Sequence, residues 1–388
     1  MCWRVAVVVP LILVIVMLTQ PAKAQTYTVL YTVEGGADGY SPGAGMITDG
    51  LGNFYGTTTY GGANCFTDEG CGVVFKIDSL GNFTTLHIFT GYDGDQPGGR
   101  LVRDENGNLY GTTVVGGLHY YGTVFKVDSA GNETVLYNFD VTHANPEGSL
   151  IRDSSGNLYG TVVSCAGSPG CVFKLDPLGN YTVLHSFSGG ADGSDPTGNL
   201  LAVGGYIYGT TQGGGNPTKC KGYSGCGVVF KVDGLGNETV LYRFSGADGA
   251  IPMNGVVRDA VGNLYGTTSR GGTYGKGVIF KLDPSGNETV LHHFTNGDNY
   301  PQRSSLVRDE RGNLYGASYT GGENGSGYVY ALTPDGRLYV LHTFTGPDGA
   351  APVDMLGVGG SLYGITYVGG NGGCYNGSGC GVVFKISR

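Results

Sequence analysis

The chain has 388 residues, with 22 Lys and Arg against 31 Asp and Glu and a formal net charge of −9. With few cations and no basic cluster, the composition argues against nucleic acid or an anionic membrane surface as a partner. Glycine fills 75 positions, but it recurs at fixed places between apolar runs, which is the turn chemistry of a folded chain rather than low complexity.

Residues 1–24 read as a secretory signal peptide. Arg4 is the positive n-region, residues 5–18 are an apolar stretch of 14 residues, and Ala22-Lys23-Ala24 is an A-x-A cleavage site. An uncleaved anchor is the lesser alternative, because the apolar run is shorter than the roughly 20 residues that span a bilayer. Cleavage would start the mature chain at Gln25 and, with Arg4 and Lys23 gone, move the charge from −9 to −11. The expected location is secreted or periplasmic, without membrane contact after cleavage.

From Gln25 onward one motif, Gly-Asn-Leu-Tyr-Gly-Thr-Thr or a close variant, returns seven times. Its tyrosines are Tyr55, Tyr110, Tyr159, Tyr208, Tyr265, Tyr315 and Tyr363, spaced 48 to 57 residues apart. A period near fifty built of short strand-like runs is a repeat architecture. Residues 97–145 serve as the specimen. Strands are expected over 99–104, 108–115, 122–128 and 132–139, with tight turns of the pattern Asp-x-x-Gly-Asn after the first and third. Asp caps such a turn and Gly takes the left-handed conformation that closes a bulged hairpin. The flanking residues are β-branched or aromatic, as strands prefer. Four antiparallel strands in some fifty residues, with no helical period, describe a propeller blade.

The two ends of the mature chain complement each other. It opens with a fourth strand, Thr28-Val29-Leu30-Tyr31, and finishes with a third strand, Val382-Val383-Phe384-Lys385. The fold expected is therefore all-β: one seven-bladed propeller over residues 25–388, closed by the N-terminal strand completing the last blade, which removes exposed sheet edges. An open solenoid would need capping repeats.

After removal of Cys2, eight cysteines remain in four C-x5-C pairs: Cys65/Cys71, Cys165/Cys171, Cys220/Cys226 and Cys374/Cys380. All sit just before the Val-Phe-Lys run, and in an exported chain they read as local disulfides. A zinc site would need further ligands, and no histidine recurs beside them. No metal and no cofactor are expected.

The motifs L-Y-G-T-T, V-F-K-[LIV]-D, G-N-x-T-V-L-[HY]-x-F and G-x-D-G-x-x-P together resemble the Gloeo/Verruco (GloVer) tandem repeat of exported bacterial proteins, across nearly all of residues 25–388. The resemblance implies an exported repeat protein and carries over no catalytic residue. Members are often joined to C-terminal surface anchors. This chain ends at its last strand, which favours a freely released protein; a monomer is expected.

Propeller topology places the loops between strands two and three, and the connectors between blades, on one face, and function in repeat proteins usually lives on the loop-rich face. The connectors there carry Asp38, Asp93, Asp192, Asp248, Asp298 and Asp348, usually as Asp-Gly-x-x-Pro, with a second carboxylate at Asp95 and Asp195. These are candidate binding groups, and calcium would use such oxygens, although Asp-Gly also simply makes a turn. Symmetry breaks at His119-Tyr120-Tyr121, where other blades have cysteines, and at His143 in the next connector. Exposed Tyr and His offer stacking and polar contacts to a sugar. The outer-strand position of Tyr137 is His87, His185, His292 and His342 elsewhere, which reads as packing with a polar tip.

G-x-S-x-G, H-E-x-x-H, a phosphate-binding loop and an EF-hand are all absent. The function expected is a non-catalytic binding or scaffold propeller that recognises a glycan or cell-surface polymer through its loop-rich face. The alternative is an extracellular lyase or hydrolase with one asymmetric site there, and a purely structural module is the third reading.

Overall fold

A computed structural model describes residues 25–387 except 63, 64, 66, 67, 217, 221–223, 296–303, 371, 372, 375 and 376. The signal segment and Asp298 lie outside the described residues. Among those described, the chain forms seven antiparallel blades. Blade one is Ile47–Thr48, Phe54–Thr58, Val73–Ile77 and Phe83–Ile88, and the same order repeats around the ring. Blade seven consists of Ala350–Val358, Ser361–Val368, Val382–Ser387 and, from the other end of the chain, Thr26–Thr32. Thr26 pairs with Ser387 and Thr32 with Val382, so the ring is closed by main-chain hydrogen bonds.

The turn motif owes its constancy to one aspartate. In blade two, Asp104 accepts the backbone N–H of Asn106 at 3.0 Å and of Asn108 at 2.9 Å, the Asn108 side-chain amide at 2.8 Å and the Tyr110 hydroxyl at 3.0 Å. Gly107, at φ 86°, closes the turn where a side chain would be strained. Burial alone would raise the Asp104 carboxyl, but these four donors outweigh it and hold it below its ordinary value. Asp49, Asp153 and Asp259 repeat the arrangement, each accepting a hydrogen bond from its blade's motif tyrosine. Arg103 lies over Tyr55, Arg152 over Tyr110 and Arg308 over Tyr265 at 5.5–5.8 Å, stitching successive blades by cation–π contacts.

The glycine of Leu-Tyr-Gly is explained by its cross-strand partner. Gly111 pairs with Phe125, and a Cβ there would lie 2.5 Å from the Phe125 ring. The same holds for Gly56 with Phe75, Gly160 with Phe173, Gly209 with Phe230 and Gly266 with Phe280, each at 2.6 Å. The freed space lets the ring lie flat over the sheet, fully buried, and receive the outer-strand phenylalanine of the preceding blade edge-on. Phe89 meets Phe125, Phe187 meets Phe230 and Phe244 meets Phe280 at 5.0–5.1 Å. These ring pairs are the walls between blades.

The innermost strand is shorter than its sequence pattern predicts. The specimen strand expected over 99–104 is reduced to Val102–Arg103, with a separate stretch, Asp95–Pro97, pairing ahead of it. A separate feature marks the residue before each connector proline. Ser41, Gln96, Asn145, Asp195, Ile251 and Ala351 all have φ of 55–58°, a left-handed conformation that interrupts regular pairing. In each, the backbone N–H is donated to the preceding blade, for example Gln96 to the Cys71 carbonyl at 3.1 Å and Ile251 to that of Cys226 at 2.9 Å. Strain of about 1–3 kcal/mol per residue is thus spent on a hydrogen bond across every such seam.

Candidate axial site

One repeat position sets the character of the axis. Two residues before the innermost-strand residue that pairs with the motif tyrosine stand, blade by blade, Gly45, Arg100, Ser149, Asn199, Gly255, Ser305 and Asp354. Their neighbours Met46, Leu101, Leu150, Leu200, Val256, Leu306 and Met355 are buried in the walls, so this position points to the centre.

Five of these side chains join into a closed belt. The Arg100 backbone N–H donates to Ser149 Oγ at 2.9 Å, and the Ser149 hydroxyl donates to Asn199 Oδ1. The Asn199 amide donates to Ser305 Oγ at 2.7 Å, and the Ser305 N–H donates to Asp354 Oδ1 at 3.3 Å. The Arg100 guanidinium closes the belt on Asp354 Oδ2, through Nε at 3.1 Å and through Nη2. Gly45 is required beside it, because a Cβ there would collide with Asp354 Oδ2. The Asp354 side chain is 6% exposed and that of Arg100 26%, so the pair sits at the foot of an opening rather than in a sealed core.

That opening is a cavity of about 320 Å³ on the loop-rich face. Arg100, Asn199, Asp354, Gln96, Glu147, Gln212 and Asn254 line it, together with Tyr60 and Tyr367. Asn254 is anchored on blade six by its amide to the Ser304 carbonyl at 3.2 Å. Side-chain amides, one guanidinium and two carboxylates therefore converge where the seven blades meet.

The residues singled out from sequence lie elsewhere on the same face. Four of the five described connector aspartates accept a hydrogen bond from the outer strand of their own blade. Asp38 accepts from Tyr31 and Asp248 from Tyr242, both at 2.6 Å, Asp93 from His87 at 3.0 Å and Asp348 from His342 at 2.9 Å. Asp192 caps Ser188 with His185 3.9 Å away. At these four blades the Tyr/His interchange is thereby explained, since both side chains donate one hydrogen bond to the connector carboxylate, whereas His185 stands too far from Asp192 to do so. These groups are spread one per blade around the rim and do not meet. Asp195 takes the strained pre-proline position, and Asp95, 4% exposed, lies against the Cys65–Cys71 bridge with burial pushing its carboxyl up to about 6. His119, Tyr120 and Tyr121 are exposed, whereas His143 turns inward onto the Tyr181 ring at 5.1 Å. Four disulfides join Cys65–Cys71, Cys165–Cys171, Cys220–Cys226 and Cys374–Cys380, each closing a loop ahead of a third strand.

Sequence reasoning passed over the axial belt. The signal was present: within an otherwise repeated frame, this one position reads Gly, Arg, Ser, Asn, Gly, Ser, Asp.

A closed seven-bladed ring with a polar axial pocket defines a β-propeller whose repeats share one frame and differ at the centre. The chain belongs to the Gloeobacter/Verrucomicrobia repeat family, whose model matches it over residues 15–169 and again over 141–311. No protein of curated function matches it in sequence. Among solved structures it is similar in fold to a luciferin-regenerating enzyme, with 12% identity, a TM-score of 0.46 and coverage of 94% of this chain and 95% of that one. It is likewise similar to a gluconolactonase of Xanthomonas campestris, with 13% identity, a TM-score of 0.43 and coverage of 94% and 89%.

Proposed function

We propose that this protein is an exported, non-catalytic binding propeller whose axial pocket takes a hydroxyl-rich ligand, a sugar residue of an extracellular glycan or cell-surface polymer. The axial belt carries this reading. Amides and hydroxyls each offer a donor and an acceptor, as sugar hydroxyls do. Asn199, Asn254 and Gln212 each use one amide N–H within the protein, which leaves a second N–H and carbonyl lone-pair capacity for a ligand. Gln96 lines the same cavity, Arg100 has guanidinium N–H groups beyond those on Asp354, and the Tyr60 and Tyr367 rings offer apolar faces to a sugar's C–H surface. The volume is at the lower end for small-molecule pockets, which suits a single ring or a chain end.

A binding role is favoured over a lyase or hydrolase because Asp354, one of the two carboxylates there, is already engaged by Arg100. Export is supported by the four disulfides, which persist in oxidising compartments. Among the described residues, no helix is long and apolar enough to cross a membrane.

The test is a thermal-shift screen of the chain from Gln25 against neutral and acidic oligosaccharides. A ligand at 100 times its Kd adds about 2.7 kcal/mol, read as an upward shift of roughly a few degrees. Asn199→Ala and Arg100→Ala should abolish the shift. A shift retained in both variants would move the site to the rim, and no shift with any glycan would sink the reading.

A further inference from the structure

Away from the axis, blades one and two bring three ligating side chains of different chemistry to one point of their shared rim. His87, near the end of the outer strand Phe83–Ile88, directs Nε2 at Asp93 Oδ2, 3.0 Å away, in the connector that follows. Across the seam Glu133, the first residue of the outer strand Glu133–Asn138 of blade two, reaches the same point. The ligand atoms of His87, Asp93 and Glu133 all lie within 4.8 Å of one another. His87 and Asp93 are 16% and 19% exposed, so the cluster is shielded without being sealed. Glu133 Oε1 is itself buried and has no hydrogen-bond partner. A carboxylate oxygen withdrawn from water without a partner is unfavourable until something positive meets it.

We infer that His87 Nε2, Asp93 and Glu133 bind a divalent transition-metal ion, zinc before manganese, as a staple between blades one and two. One imidazole and two carboxylates form a ligand set suited to such ions, whereas calcium takes oxygen ligands alone. Bonds of about 2.0–2.2 Å at tetrahedral angles place ligand atoms about 3.4 Å apart. His87 Nε2 and Asp93, now 3.0 Å apart, therefore open by a few tenths of an ångström, and the separations to Glu133, all within 4.8 Å, need close by no more than roughly 1.4 Å. The imidazole binds as its Nδ1–H tautomer, and the metal replaces the hydrogen bond that now joins His87 to Asp93.

The other seams act as built-in controls for the ligand geometry, since Glu238 Oε1 and Glu288 Oε1 are buried without a hydrogen-bond partner as Glu133 Oε1 is, but lack a close His–Asp pair beside them. Between blades three and four, His185 and Asp192 are 3.9 Å apart and Glu238 feels the cationic Arg243. Between blades four and five a phenol, Tyr242, takes the place of histidine beside Asp248 and Glu288. At the closing seam His342 and Asp348 meet Tyr27, whose ring stacks on the imidazole at 3.6 Å. The other described cluster with ligating residues, Cys65, Cys71 and Asp95, offers no thiolate because its cysteines are bonded to each other.

The experiment is calorimetric titration of tag-free, chelator-treated chain from Gln25 with zinc chloride and with manganese chloride. Zinc is expected to saturate at one equivalent and to bind more tightly than manganese. Glu133→Gln and His87→Asn should each weaken zinc binding by at least about 10–100-fold, the loss that even outer partners of a ligand command. Glu288→Gln should leave it unchanged. Cobalt loading supplies an independent readout: its visible d–d bands should appear in the parent and vanish in His87→Asn. Far-UV circular dichroism confirms that each variant is folded, and either folded variant alone decides the matter. No saturable uptake by the parent, or uptake that survives both substitutions, overturns the inference.

Discussion

The walls between blades and the belt at the axis come from the same repeat and obey opposite rules. In the walls, every blade offers an aromatic ring to the same glycine-made space: Tyr330 in blade six and Phe75, Phe125, Phe173, Phe230, Phe280 and Phe384 in the other six, all buried almost without exposure. Along the axis, one position changes from blade to blade, and its side chains meet residues up to 254 positions away. Repetition suits the walls because every seam poses the same packing problem. A single ligand site at the centre requires the repetition to be broken there, since only unlike groups, such as Arg100 and Asp354, form one directional site.

That contrast can be broken first at a wall. Phe230→Ala removes a buried ring that both sheets of a seam use, and a loss of about 3–5 kcal/mol is expected, measured by denaturant unfolding. Removing a local staple should cost less. Cys220→Ser with Cys226→Ser opens a loop with a sequence separation of 6, for which chain entropy gives about 2 kcal/mol. A loss as large as that of Phe230→Ala would mean that the loops, not the rings, hold the seams.

At the belt the expected order is different. Arg100→Ala leaves the Asp354 carboxylate buried without its cation and should cost about 1–3 kcal/mol. The double change Arg100→Met with Asp354→Leu should be close to neutral in stability, as replacements of buried ion pairs by apolar groups often are, while ligand binding is lost. A double variant as unstable as the single would show the belt to be part of the scaffold.

The smallest effect concerns pH. Burial, together with the charge of Asp192 or Asp248, pushes Glu238 and Glu288 up to about 7, well above an ordinary glutamate. A group whose folded value is raised favours folding while protonated, so this contribution is fully present below about pH 4.5 and is lost as pH rises through 7. The melting temperature should therefore fall modestly between pH 5 and pH 8, and Glu288→Gln should flatten the slope. An unchanged slope would place the pH response elsewhere.

Much of the fold was legible in the sequence because its determinants are local. Asp104 and Asn108 meet within one turn, Cys220 and Cys226 within one loop, and the opening fourth strand announced its missing third by what the other end of the chain lacked. The rim was only half legible. The alternation of Tyr and His suggested a polar tip, but not the carboxylate six residues on that makes the two interchangeable. The first strand was overextended: of the residues expected over 99–104, only Val102–Arg103 pair as a strand with the second strand of the blade.

The sequence by itself determined the blade count, the turns, the ring closure and the disulfide pairs, since period, turn residues and short separations act over a few residues. Only the tertiary structure decided which residues share a site. Seven copies of one position, about fifty residues apart, converge because the ring curves them onto one axis. Glu133 joins His87 and Asp93 because neighbouring blades press their outer strands together. Both encounters depend on the angle between blades, which no single repeat specifies.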